Sequence, residues 1–296
     1  MHISELIAMN LREGTVPFSF EFFPPKNPKG WDTLYQTITD LLPLHPAYVS
    51  VTYGAGCSTR ENTHKLVSRL HRESGLEVVA HLTCEGSSGT EVRGILQAYQ
   101  DEGVDNILAL KGDVPKEGRS KSDFNQAGDL VAFIRENFPA FGVGVAGFPE
   151  GHPATPNRLL EIDYLKAKID AGADYIVTQL FFDNRDLYDY RERCELAGIK
   201  VPIIAGIMPV TTRAGMSRMA ELAAGARFPA HLLKALARAD SDETVARVGV
   251  QWASEQISDL LSNKVAGIHL YTLNNSRASI EICENLGLRQ FKVKSL

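Results

Sequence analysis

Glu21 sits where a carboxyl group could do chemistry. It lies in the segment SFEFFPP, among Phe18, Phe20, Phe22 and Phe23, with two prolines behind it. A carboxylate in an aromatic strand is costly to bury unless it is paired or protonated. Burial favours the neutral acid, so such a side chain is a candidate proton donor near neutral pH. On the local sequence alone, a surface glutamate on an edge strand, or a partner for a buried Lys or Arg, is an equal reading. Further polar residues recur at the ends of apolar runs: Thr52 and Tyr53, His81 and Thr83, Lys111-Gly112-Asp113, His152, Gln179, and Thr272-Leu273-Asn274. Taken alone, His81 reads as well as a core histidine tied to a carbonyl. Gln179, within IVTQLFF, must bond either to the backbone or to a polar ligand. The Gly112-Asp113 step permits close backbone approach to a ligand, or is a simple turn.

The elements that would carry these residues form a regular series. Eight short apolar, β-branched or aromatic runs read as buried parallel strands: Phe18–Phe23, Tyr48–Tyr53, Glu77–Thr83, Asn106–Lys111, Gly142–Gly147, Tyr175–Phe181, Pro202–Ile207 and Gly267–Leu273. Between most of them lies a stretch with helical periodicity, such as Leu159–Ala171, whose Leu159, Ile162, Leu165 and Ile169 share a face. Ala171-Gly172, Glu102-Gly103 and Ala197-Gly198 read as helix stops. A βα alternation of eight units predicts an α/β protein, a closed (β/α)₈ TIM barrel in a single domain over residues 1–296. The longer gap before the last strand holds helical stretches near Ala214–Ala224, His231–Ala239 and Asp242–Leu261, so an extra helix is expected there. In such barrels the active site lies at the C-terminal ends of the strands, where the polar residues fall.

Composition narrows the classes. The 296-residue chain is 44% hydrophobic and 23% charged, an ordinary globular balance. Its net charge of −5, without runs of like charge, argues against nucleic acid as a partner. The N-terminal MHISELIAMNLREG carries Glu5 and lacks a long apolar stretch, so it reads as neither signal peptide nor membrane span. Its Ile3, Leu6, Ile7 and Met9 fit a short amphipathic helix. The cysteines at 57, 84, 194 and 283 show no paired metal-ligand spacing, so no metal site is expected. Reduced thiols and a cytoplasmic setting are the expectation. Gly142-Val-Gly144-Val-Ala-Gly147 matches GxGxxG letter for letter, but its glycines lie inside a strand and Phe148-Pro149 follows. The dinucleotide fingerprint must open a helix, so a Rossmann reading is rejected.

In order along the chain, SFEFFPP, VSVTYGAG, AHLTC, LALKGD, FPEGHP, DAGADYIVTQLFFD, GIMPV and YTLN resemble the signatures of the methylenetetrahydrofolate reductase family, in its short bacterial form. The resemblance implies FAD at the C-terminal face of a barrel. It implies reduction of the folate 5,10-methylenetetrahydrofolate to 5-methyltetrahydrofolate, with NADH or NADPH as electron donor in ping-pong order. Glu21 would then protonate the folate, and Asp113 would lie near the flavin and bind the pterin. Thr52, Tyr53, Ala55, His81, Gly112, Ala127, His152 and Lys168 fall on positions that contact FAD, and Gln179 on one that contacts folate and nicotinamide in turn. Other family positions carry different residues here. Lys111 stands for an Arg, Gln126 and Phe148 for Tyr, and Glu161, Tyr164 and Ala167 for Asp, Asn and Arg on the flavin side. On the substrate side Met219 stands for a Phe, and Asn275 for an Arg, with Arg277 two residues on. A homo-oligomer is expected. The competing readings are a pterin-dependent methyltransferase on the same barrel, and a partner-dependent folate- and flavin-binding subunit that uses another electron carrier.

Overall fold

A computed structural model describes residues 1–53, 57–113, 122–155, 157–223 and 226–287. The expected flavin contact Ala55 lies outside the described residues. Eight parallel strands close on themselves: β1 (Phe18–Phe22), β2 (Tyr48–Val51), β3 (Glu77–Thr83), β4 (Asn106–Leu110), β5 (Gly142–Gly147), β6 (Tyr175–Thr178), β7 (Ile203–Ile207) and β8 (Gly267–Tyr271), with β8 paired back to β1. The helices α2 (Pro28–Leu41), α3 (Cys57–Ser74), α4 (Gly89–Asp101), α5 (Ala127–Asn137), α6 (Arg158–Asp170) and α7 (Asn184–Leu196) follow successive strands. Three helices fill the long seventh connection, α8 (Arg213–Leu222), α9 (Ala230–Arg238) and α10 (Asp242–Ser262), and α11 (Ser276–Asn285) follows β8. The chain is therefore a (β/α)₈ barrel. All the glycines of the GxGxxG match lie within β5.

Period-two alternation gives each strand two different faces. Phe18, Phe20 and Phe22 of β1 join Val49, Val51, Ala80, Leu82 and Ile107 in the large core between sheet and helices. Ser19 and Glu21 point the other way, into the barrel. The aromatic setting expected for Glu21 is thus on the opposite face of its strand. Inside the barrel, Tyr48, Val79, Leu108, Tyr175, Val177 and Ile204 pack with Ile3 and Ile7 of α1 (Ile3–Arg12), which closes the N-terminal mouth. The Asn106 side chain secures α1, accepting from the Ile3 amide at 3.0 Å and donating to the Met1 carbonyl at 2.9 Å. Met9, expected on the apolar face, is instead 42% exposed. With that mouth plugged, the C-terminal mouth is the open end.

Candidate active site at the C-terminal mouth

Glu21 projects from β1 into this mouth. Its side chain keeps 19% exposure, and its Oε2 lies 3.6 Å from Nε2 of His81 and 3.6 Å from Nε2 of His269. His269 is held from below: its Nδ1 is 2.7 Å from Ser19 Oγ and its Nε2 is 3.3 Å from Ser50 Oγ. Its ring stacks on Tyr48 and meets Tyr271 edge-on, and the Tyr271 hydroxyl donates to the Thr178 carbonyl at 2.6 Å. The His81 side chain is buried, and its Nε2 has no hydrogen-bond partner among the described residues. Burial pushes the His81 imidazole down to about 4, outweighing the attraction of Glu21, and His269 adds to the lowering. His81 is therefore neutral at pH 7. A carboxyl facing two imidazoles just beyond hydrogen-bond distance is an arrangement for holding and passing a proton.

A second group gathers where β3, β4 and β5 end. Gly112 has φ of +88°, and a Cβ there would lie 2.9 Å from Thr83, so only glycine suits this turn. The Lys111 carbonyl next to it accepts from the Glu85 amide at 2.8 Å, which fixes the loop. Phe148 meets His152 edge-on at 4.7 Å, and Nδ1 of His152 accepts from the Ala154 amide at 3.1 Å. Burial lowers the His152 pKa, the positive charges of Lys168 and Lys111 lower it further, and Asp113 opposes them. Lys111, Asp113 and Lys168 thus lie within electrostatic reach of this imidazole. Nζ of Lys168 donates to the Ala146 carbonyl at 2.7 Å. Burial brings that amine down to about 8 against the attraction of Glu161, whose own pKa burial raises.

The remaining expected residues divide into two sets. The Thr52 amide donates to the Phe22 carbonyl at 2.9 Å, just beyond Glu21, and the Tyr53 ring lies under the Arg60 guanidinium. The Gln179 amide donates to the Gly147 carbonyl, and its Oε1 accepts from the Leu180 amide at 2.9 Å, which keeps the side chain at the end of β6. Ala127 opens α5, and Tyr164 stands 43% exposed on α6. The other set is engaged elsewhere. Met219 is buried with Leu180, Phe182 and Met208 in the apolar cluster beside α8 and α9. Asn275 caps α11 by accepting from the Arg277 amide, and the Arg277 side chain pairs with Glu281 at 2.9 Å. His269, Ser19, Ser50 and Tyr271 escaped the sequence reading. The signal was the alternation in GIHLY, which puts His269 and Tyr271 on one face and Ile268 and Leu270 on the other.

Comparison with known proteins places the chain in a family. Residues 6–287 match the profile of the family described as methylenetetrahydrofolate reductase. A 5,10-methylenetetrahydrofolate reductase of Escherichia coli is 37% identical over 293 residues, covering 97% of this chain and 98% of the relative. That of Pectobacterium carotovorum is 38% identical over 278 residues, covering 94% and 92%. Methylenetetrahydrofolate reductase (NADH) 1 of Arabidopsis thaliana is 38% identical over 304 residues, but the match to 97% of this chain takes in 51% of that relative, about half its length. Among solved structures, a Clostridium thermocellum protein that binds two copies of 5-methyl-5,6,7,8-tetrahydrofolic acid has the same fold, with a TM-score of 0.66 at 15% identity over 96% of this chain and 98% of its own.

Proposed function

The chain belongs to the methylenetetrahydrofolate reductase family, and from that premise we propose that it reduces 5,10-methylenetetrahydrofolate to 5-methyltetrahydrofolate with electrons from NADH or NADPH, using FAD as its cofactor in ping-pong order. The observation that carries the reading is Glu21, a carboxyl at the open mouth set 3.6 Å from two buried imidazoles. When bound, FAD would take electrons from the nicotinamide and supply a hydride to the folate.

The residues present fit such a group. FAD needs cationic or amide donors for its diphosphate and a polar, Cβ-free approach for its ring. Lys111 and Lys168 supply the first, with the uncharged His152 ring beside them, and the Gly112 turn supplies the second. The unpartnered Nε2 of His81 adds a buried polar atom at the same mouth. Thr52, Tyr53, Phe148, Ala127 and Tyr164 would complete the flavin side. Asp113, exposed at the end of the same loop, would bind the pterin and favour a developing positive charge on the folate. Gln179 would hold folate and nicotinamide in turn.

Glu21 holds a proton at Oε2 and gives it to the folate nitrogen as the five-membered ring opens to an iminium. Neutral His81 offers a ring nitrogen that exchanges a proton with that carboxyl once a small side-chain movement closes 3.6 Å to hydrogen-bond distance, and the His269 ring lies at the same distance on the other side. The test is the purified protein with added FAD. Flavin absorbance that bleaches with NADH or NADPH and recovers on adding 5,10-methylenetetrahydrofolate, with 5-methyltetrahydrofolate as product, is the expected result. A protein indifferent to FAD would sink the reading.

A further inference from the structure

We infer that Asn274 is a positioning residue, one that holds the end of β1 and thereby sets Glu21 for proton transfer; the inference rests on Glu21 being the acid. The β1–β8 ladder ends at the pair Glu21 and Tyr271. Beyond it the chain of β8 turns away, with Leu273 and Asn274 at φ of +51° and +55°. On the other strand, Pro24 and Pro25 have no N–H to offer, so Phe23 is the last residue that backbone pairing could anchor.

The Asn274 side chain takes the place of the missing strand. Its Oδ1 accepts from the Phe23 amide at 3.0 Å, and its Nδ2 donates to the Phe23 carbonyl at 2.7 Å. A carboxamide carries one acceptor and one donor in the geometry of a peptide group, so it completes the ladder by one further residue. Asn274 is itself fixed. Its amide donates to Thr272 Oγ1 at 3.1 Å, and its carbonyl accepts from Thr37 Oγ1 of α2 at 3.0 Å. Thr272 Oγ1 donates in turn to the Glu21 carbonyl at 2.6 Å. The backbone of Glu21 is thereby tied through one hydroxyl to the same residue that clamps Phe23. From the β2 side the Thr52 amide holds the Phe22 carbonyl.

The left-handed backbone at 274 tolerates Asn and Gly but strains Ala. Three variants therefore separate the amide from the backbone: Asn274→Gly keeps the turn and loses the clamp, Asn274→Ala loses both, and Asn274→Asp replaces the donor by an oxygen facing the Phe23 carbonyl. Each is measured as FAD-loaded protein by rapid mixing across pH, in the two half-reactions separately, and by hydrogen exchange at the Phe23 amide. The expected result for Asn274→Gly is Phe23 exchange faster by about tenfold or more and flavin reduction by nicotinamide unchanged. Folate reduction should be slower by roughly tenfold, with a displaced pH profile, because proton delivery is geometry-sensitive. A wild-type folate rate and pH profile in Asn274→Gly would overturn the inference, as would equal loss of both half-reactions. Failure of the functional reading looks different, since the unaltered protein then carries out neither half-reaction. In that event unchanged exchange at Phe23 still overturns the clamp.

Discussion

Glu21 can be tested without disturbing its neighbours, because Gln keeps the shape and removes the proton. Glu21→Gln should leave flavin reduction by nicotinamide within about threefold of wild type. Folate reduction should fall by roughly 10²–10⁴-fold, the usual contribution of a positioned acid. Stopped-flow traces of the two half-reactions read this directly, and equal loss in both would remove Glu21 from the acid role. Glu21 was visible in the sequence because an acidic residue among phenylalanines is conspicuous. The phenylalanines do not surround the carboxyl, however: Phe18, Phe20 and Phe22 face the helices, and the carboxyl faces His81 and His269. His81 stood two residues before the expected end of its strand and could be named. His269 stood four residues before Leu273, where its strand was expected to end, and apart from the alternation nothing in its immediate sequence distinguishes it from a core histidine. Pairing it with Glu21 requires knowing that β8 closes on β1. The register that does so is a long-range property, absent from any local window.

Strand bounds follow the same logic of what is local and what is not. β3 and β5 run over the residues read from the sequence, Glu77–Thr83 and Gly142–Gly147. β2, β6 and β8 stop two or three residues early: Thr52 and Gln179 keep one backbone bond each to the neighbouring strand, and Thr272 turns its hydroxyl to the Glu21 carbonyl. Apolar composition continues past those points, so the sequence alone overruns. Glycine use inside the barrel gives an element-level prediction. A Cβ on Gly206 of β7 would lie 2.3 Å from the Thr178 carbonyl oxygen and 2.7 Å from the Tyr271 ring, where Tyr271 makes its hydrogen bond. Gly206→Ala should cost about 1–3 kcal/mol, as overpacking of a filled interior does. For a chain of this size that lowers Tm by roughly 2–10 °C. Gly94 of α4 is exposed, and a Cβ there meets nothing within 4 Å, so Gly94→Ala should stabilise by about 0.5–1 kcal/mol. Calorimetry on the pair decides it: an unchanged or raised Tm for Gly206→Ala would show that the interior yields more easily than the packing implies.

The response of the whole barrel to acid depends in part on buried His81. Free histidine titrates near 6.5, whereas burial brings His81 down to about 4. Between those values the unfolded chain binds a proton that the folded chain refuses. Stability contributed by the neutral ring is therefore fully present above about pH 6.5, and it is lost as pH falls towards 4. The full loss is about 3 kcal/mol, of which about 2 kcal/mol has gone by pH 5, at 1.36 kcal/mol for each unit. That is a large part of the 5–15 kcal/mol typical of folded domains. His81→Gln removes the titration and keeps a polar side chain facing Glu21. Denaturant midpoints at pH 7 and pH 5 should then show the wild type losing about 2 kcal/mol more than the variant, with the other titrating groups common to both. Parallel losses in the two proteins would mean that His81 takes its proton inside the fold at ordinary pH. The imidazole beside Glu21 would then be cationic during the reaction, and it could not accept a proton from the acid it faces.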